Sequence, residues 1–483
     1  MANAIDGLTP PLVWKYFAAI SRIPRGSKNE AAIGAYLVKT ARALGLEVQQ
    51  DAVGNVVARK PAAPGRAGLP GVCLQGHMDM VCEKNKETAH DFLKDPIELV
   101  RDGNFVKARG TTLGADNGIA VATCLAIMED RTLDHGPLEF LFTVDEETGL
   151  TGANNLQPGF LKSTILLNLD SEDEGELYVG CSGGRDTKGE WAASWNDAPA
   201  GGAGLLVTVK GLKGGHSGLE IHTGRGNALK ILARVLLALA PAGARLARIQ
   251  GGNKRNAIPR EAEAAIWLPK GKAAEAADLV AKMNGVIKAE FATVEPALEI
   301  SCQPQRGIRK VFARGLQKKV LLALAGLPHG VLKMSPDIEG LVETSTNLAI
   351  IETGKSAVAI YTSQRSSVAS EIEEAAQMVR SVFELAGAKA SGSDGYPGWK
   401  PDMASPILKL SRETYQSLFG KDPEVKAVHA GLECGIIGEK YPGMDMVSFG
   451  PTMREVHSPN EHLYIDTVER FYTFLLGILA RVK

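Results

Sequence analysis

Seven side chains able to bind or activate a metal stand just past apolar runs of this chain. They are His77 and Asp79 in Leu-Gln-Gly-His-Met-Asp, Asp116 in Gly-Ala-Asp-Asn-Gly, Glu146 and Glu147 in Thr-Val-Asp-Glu-Glu-Thr-Gly, Asp170 in Leu-Leu-Asn-Leu-Asp-Ser, and His457 in Arg-Glu-Val-His-Ser-Pro. Imidazoles mixed with carboxylates, with no thiolate among them, are what a borderline divalent cation such as Zn²⁺ takes in a hydrolase. Singly, each is more often a solvated turn or a satisfied pair. Together they imply a site, because ionised side chains are seldom set beside buried strands unless paired or coordinated.

A two-metal hydrolase needs ions about 3.5–4 Å apart, a carboxylate between them and a base for the attacking water. Asp116, at an expected helix start among glycines that let the backbone pass close, suits the bridge. His77 and Asp170 would complete one ion, Glu147 and His457 the other. Asp79, two residues from His77, is better placed to hold the second imidazole nitrogen than to bind the same ion. Glu146 and Glu147 are neighbours whose side chains diverge, so one can bind metal while the other, Glu146, serves as general base.

Other polar signals are weaker. Gly211-Leu-Lys-Gly-Gly-His-Ser-Gly218 is glycine-rich but has neither the spacing of a phosphate loop nor that of a dinucleotide fingerprint, so nucleotide binding is rejected. His216 within it could stabilise an oxyanion. Asn256 and Arg365 also fall at expected strand ends, and Arg365 could hold a carboxylate bidentately or serve only in a surface ion pair.

The elements that must position these residues read as α/β. Two helices are expected over residues 10–45, the second opened by a Ser27/Glu30 capping box and closed by Gly45. Apolar strand signals at 53–57, 71–74, 138–144 and 164–169 alternate with helical stretches such as 118–128, the rhythm of a doubly wound sheet with its ligands beyond the strand ends. Near Arg185 the texture loosens, and it loosens again over 391–402. The chain therefore reads as a catalytic domain (1–185 and 393–483) interrupted by an inserted α+β lid (186–392). In the insertion, strand 205–210, helix 227–239, strands 246–250 and 261–268 and helix 273–291 form one α/β sandwich unit, and a similar pattern recurs over 330–385. A last helix is expected from Thr467, capped by Asp466.

At 483 residues the chain calls for at least two domains. Its hydrophobic content of 45% and net charge of −1 fit a globular protein with no long-range attraction for nucleic acid or an anionic membrane. No signal peptide or membrane span is read, and the six scattered cysteines, without a Cys-x-x-Cys pair, suit reduced thiols, so a cytoplasmic location is expected.

Longer strings add specificity. They are Gly76-His-Met-Asp-Met-Val, Ala108-Arg-Gly-Thr-Thr-Leu-Gly-Ala-Asp116-Asn-Gly, Asp170-Ser-Glu-Asp-Glu-Gly, Arg255-Asn-Ala-Ile-Pro-Arg-Glu-Ala, Val342-Glu-Thr-Ser-Thr-Asn-Leu, His429-Ala-Gly-Leu-Glu433-Cys-Gly and His457-Ser-Pro. With them the chain resembles, nearly end to end, the cocatalytic metallopeptidases of the aminoacylase and carboxypeptidase type, and within them the aminoacyl-histidine (Xaa-His) dipeptidases. The resemblance implies two zinc ions, with cobalt or manganese as substitutes, and hydrolysis of dipeptides with a free amino end. It implies the same ligand roles for His77, Asp116, Asp170, Glu147 and His457, with Asp79 orienting and Glu146 as base. It also implies substrate binding by His216, Asn256 and Arg365, and Glu433 is assigned to that group.

The reading is thus a zinc-dependent dipeptidase. An N-acyl-amino-acid deacylase and a metal-stabilised peptide-binding protein are the rivals, the latter having no use for Glu146. A lid of this size could replace a partner's lid or pair with a second copy, leaving monomer and homodimer both open.

Overall fold

The computed structural model describes residues 4–483, which form two compact units. The first comprises the chain up to Gly180 with Pro401–Ala427 and Leu432–Lys483; the second comprises Cys181–Lys400 and Val428–Gly431.

The first unit is built on an eight-stranded sheet in the order Glu47–Gln50, Val56–Lys60, Leu138–Thr143, Val72–His77, Ile165–Asn168, Asp445–Ser448, Glu176–Cys181, Glu424–Val428. Its centre is parallel: Val72–His77 runs with both Leu138–Thr143 and Ile165–Asn168, and the last of these runs with Asp445–Ser448. The first two and the last of these strands are buried throughout or nearly so, as strands covered on both faces must be. Helix Ala115–Glu129, apolar all round and buried from Asn117 to Met128, packs between Val72–His77 and helix Pro11–Ile20. The parallel register pairs His77 with Thr143 and Gln75 with Asn168, so the residues just past these strands emerge at one edge of the sheet.

The second unit carries a nine-stranded antiparallel sheet. Strand Ala203–Lys210, helix Ala228–Leu239, strands Arg245–Gly251 and Ala262–Leu268, helix Ala273–Glu290 and strand Glu299–Pro304 make a βαββαβ unit. Its strands lie in the order fourth, first, third, second. Strand Gly183–Ala192, helix Arg314–Gly326, strands Val342–Thr353 and Ala357–Ser366, helix Ala369–Leu385 and strand Lys389–Gly392 repeat that arrangement in mirror order along the sheet, and the βαββαβ motif that starts at Ala203 is inserted after the opening strand of this other motif. The two join where Arg245–Gly251 meets Val342–Thr353. Strand order thus reveals a duplication that periodicity left undecided. Helix Ala228–Leu239 begins as expected, with Asn227 Oδ1 accepting from the amides of Leu229 and Lys230 at 2.9 and 3.2 Å.

Two expected caps are corrected. Ser27 Oγ donates to Asp79 Oδ2 at 2.8 Å instead of capping a helix, and Glu30 Oε1 accepts from the amides of Lys28 and Asp145. Asp466 lies inside the first turn of helix Ile465–Arg481, where it accepts from Asn104 Nδ2. In both places a partner distant in sequence outcompetes the local cap.

Candidate metal centre

Each expected metal ligand leaves an element that aims it at the same edge of the first unit's sheet. His77 ends its strand, Glu146 and Glu147 open a single helical turn just past Leu138–Thr143, and Asp170 follows Ile165–Asn168 by two residues. Asp116 sits at the N-terminus of helix Ala115–Glu129 with extended rather than helical torsions, and His457 sits in a loop with φ of 61°.

These side chains converge. Asp116 Oδ1 lies 3.0 Å from His77 Nε2, and Asp116 Oδ2 lies 3.0 Å from His457 Nε2. His77 Nε2 is also 3.5 Å from Asp170 Oδ1, and His457 Nε2 is 3.0 Å from Glu147 Oε2. His77, Asp116 and Asp170 form one triad and Asp116, Glu147 and His457 another, with ligand atoms in each within 4.8 Å of one another. Ligands about 2.0–2.2 Å from a shared tetrahedral ion stand roughly 3.3–3.6 Å apart, so the spacing suits such an ion in each triad. The buried Glu147 Oε1 has no partner, an acceptor left over in a fully packed site.

The electrostatics are those of a crowded acidic site. Burial pushes Asp170 up to about 6, and it raises Glu146 well above the carboxylate range, with His77 opposing and Asp170, Glu433 and Glu147 adding. Burial works against a charged His77, yet Asp170, Asp116 and Asp79 hold its pKa well above normal. Asp116 and Glu147 push His457 up to about 11. Asp116, despite its burial, is drawn below its usual range by the two imidazoles. Among the described residues, the cationic groups paired with these carboxylates are the imidazoles of His77 and His457, which leaves a deficit that a divalent cation fills.

Asp79 is fully buried, and its donors tie the ligands together. Its Oδ1 accepts from His77 Nδ1 at 3.2 Å and from the amide of Glu146 at 3.1 Å; its Oδ2 accepts from Ser27 Oγ and from the amide of Glu147. One carboxylate therefore sets the imidazole and the turn that carries both glutamates.

The profile of Peptidase family M20/M25/M40 matches residues 73–481, about the span from the central strand to the last helix. The chain belongs to that family. It is 43% identical over 481 residues to the cytosol non-specific dipeptidase of Escherichia coli (strain K12), covering 99% of each chain. Its structure is similar to that of aminoacylhistidine dipeptidase from Vibrio alginolyticus, at a TM-score of 0.93 and 44% identity over 100% of this chain and 98% of that one. A tripeptidase from Staphylococcus aureus subsp. aureus mu50 shares the fold at a TM-score of 0.59 and 17% identity, covering 98% and 99% of the two chains. The metallopeptidase resemblance and the mixed α/β fold are borne out.

The M20/M25/M40 chain holds its remaining expected site residues in two places. In the second unit, the short ribbon pairing Gly215–His216 with Ala257–Ile258 sets His216 beside Asn256. Asn347 Nδ2 steadies that ribbon by donating to the carbonyls of Arg255 and Ala257. His216 Nδ1 accepts from the amides of Gly218 and Leu219, so its proton resides on Nε2. Burial, then the charge of Arg365, lowers its pKa to about 4, which keeps the ring a neutral donor. Arg365 is only 7% exposed; its Nη1 donates to Tyr396 Oη at 3.0 Å and its Nε has no partner. Glu433 lies in the first unit, fully buried, with Oε2 accepting from Gln75 Nε2 and Thr143 Oγ1 and Oε1 without a partner. Burial raises its carboxyl to about 7.

Sequence reasoning missed Tyr396, Arg25 and Glu461. Tyr396 fits because Gly184 and Gly431 leave room for its ring, where a Cβ would come within 2.8 Å, but no local motif announces it.

Proposed function

We propose that this chain is a dinuclear zinc dipeptidase of broad specificity, acting on Xaa-His dipeptides among others, in the cytoplasm. The observation that carries this reading is Asp116, whose two carboxylate oxygens face two different imidazoles, each with its own further carboxylate. The all-nitrogen-and-oxygen donor set favours zinc, with cobalt or manganese as substitutes. Support for the substrate comes from the dipeptidase names of the two similar proteins, one non-specific and one aminoacylhistidine.

Two ions held by His77, Asp116 and Asp170 and by Asp116, Glu147 and His457 would polarise the scissile carbonyl and provide an attacking water near neutral pH. Glu146 accepts the water's proton, a task suited to a carboxyl group whose pKa burial has raised well above the usual carboxylate range. Glu146 then passes that proton to the leaving amine. Asp79 fixes His77 and the Glu146–Glu147 turn in place. His216 donates Nε2–H to the developing oxyanion, and the exposed Asn256 side chain helps bind the peptide. Arg365, buried with Nη1 bonded to Tyr396 Oη and Nε unpartnered, takes the substrate's terminal carboxylate. Glu433 Oε1, an unpartnered acceptor, is offered to the substrate's ammonium group.

The test is metal content per chain together with a hydrolysis panel of free dipeptides, N-acyl amino acids and longer peptides. Two ions per chain, and two free amino acids released from dipeptides, are expected. Preference for N-acyl substrates would make the chain a deacylase, and metal and peptide binding without turnover would make it a binding protein.

A further inference from the structure

The turn that carries Asp116 is gripped from both sides by buried charges that touch no expected metal ligand side chain. Glu461, 2% exposed, spreads its carboxylate over four consecutive amides. Oε2 accepts from Leu113 and Gly114 at 2.7 and 3.0 Å, and Oε1 from Ala115 and Asp116 at 2.8 and 3.4 Å. The last three of these are amides that the first turn of helix Ala115–Glu129 leaves without intrahelical partners, where a carboxylate also meets the positive end of the helix dipole, and Leu113 stands just ahead of its N-cap.

Arg25, also 2% exposed, takes the carbonyls. Its Nη1 donates to Asp79 O at 2.9 Å and Met78 O at 3.2 Å, and its Nη2 donates to Gly114 O. Gly114 and Gly118 make room for it, since a Cβ at either would come within 2.6 Å of Nη2. The glycines of Leu-Gly-Ala-Asp-Asn-Gly therefore admit a guanidinium, where the sequence suggested close backbone approach to cations. Arg25 ties the turn after His77 to the turn before Asp116, and Glu461 ties the Asp116 turn to the segment that bears His457.

We infer that Glu461 and Arg25 are a positioning pair that fixes the Asp116 carboxylate between the two metal sites, so that losing either weakens both ions together. This rests on Asp116 being the bridge. A residue that acted only through His457, four positions before Glu461, would instead affect just the ion that His457 binds.

The experiment uses the full chain, stripped with chelator and titrated with Zn²⁺, reading the number of ions bound and the affinity of each well below the melting temperature. Wild type must first bind two ions; fewer would overturn the dinuclear reading itself, before any variant is compared. In Glu461→Gln the amide oxygen can serve one pair of amides, but its NH₂ faces the other pair. Both ions should weaken by about 10–100-fold, the loss typical of groups that orient ligands. Glu461→Asp, which keeps the charge, should recover part of that affinity. Arg25→Lys keeps the buried charge but cannot span three carbonyls, and it should weaken both ions more mildly; it decides the matter if Glu461→Gln does not fold. Wild-type affinity for both ions, or weakening of one ion alone, would overturn the inference.

Discussion

His77 donates Nδ1–H to Asp79 Oδ1 at 3.2 Å, which leaves Nε2 facing Asp116 and Asp170. Donation through Nδ1 makes Nε2 the nitrogen whose lone pair becomes available once a metal displaces its proton, the form a metal requires. His77 in turn helps draw the pKa of Asp79 down to about 2 against the effect of burial. Asp79→Asn can present an amide NH₂ to Nδ1 and so favour the wrong tautomer. It should lower zinc affinity by roughly 10–100-fold. Because Asp79 also receives the amides of Glu146 and Glu147, kcat should fall even at saturating zinc. Competition against a chromophoric chelator, with rates measured at saturating metal, checks both parts; unchanged affinity would show that the imidazole is held by other means.

Glu146→Gln should keep both ions and the fold, because Glu146 belongs to neither of the two ligand triads that share Asp116. An amide cannot accept the water's proton, so kcat should drop by about 10²–10⁴-fold. Near-native turnover in a metal-replete variant would remove Glu146 from the chemistry.

Asp116→Ala and His457→Ala separate a shared ligand from an unshared one. Asp116 faces both imidazoles, whereas His457 meets only Asp116 and Glu147. Metal analysis after gel filtration should find Asp116→Ala depleted of both ions and His457→Ala depleted chiefly of one. Two tightly held ions in Asp116→Ala would require another bridge.

The sequence made the site legible wherever a residue's own neighbours determine its place. The expected strand over 138–144 is Leu138–Thr143, and the expected helix over 118–128 lies within Ala115–Glu129, because apolar runs bounded by turn residues have few other solutions. Residues just beyond parallel strands must then share one edge, and there His77 and Asp170 meet Asp116 in one cluster and Glu147 meets it in another. Legibility failed where bonding crosses the chain. Ser27 and Glu30 have the spacing of a capping box, but Asp79 and the amide of Asp145, 52 and 115 residues away, are better partners. Arg25 and Glu461 act on backbone groups, which leave no trace in side-chain spacing. The antiparallel strands Leu99–Asp102 and Phe105–Ala108, short and half exposed, carry too little apolar patterning to announce themselves.

Arg365 provides the sharpest test of substrate reading. Its guanidinium is buried, bonded through Nη1 to Tyr396 Oη, and keeps Nε unpartnered, so an arriving carboxylate would find donors already aligned and largely dehydrated. If the terminal carboxylate of a dipeptide fills that place, Arg365→Ala should lower kcat/KM for free dipeptides by at least about 10²-fold, a loss of some 2.7 kcal/mol within the range for truncating one partner of a buried charge pair. Metal content should not change. C-terminally amidated dipeptides, which never offered the carboxylate, should lose far less. Tyr396→Phe should produce a weaker version of the same selectivity, because the hydroxyl only holds the guanidinium. Equal losses on free and amidated substrates would show that Arg365 supports the packing around Tyr396 and does not read the carboxylate.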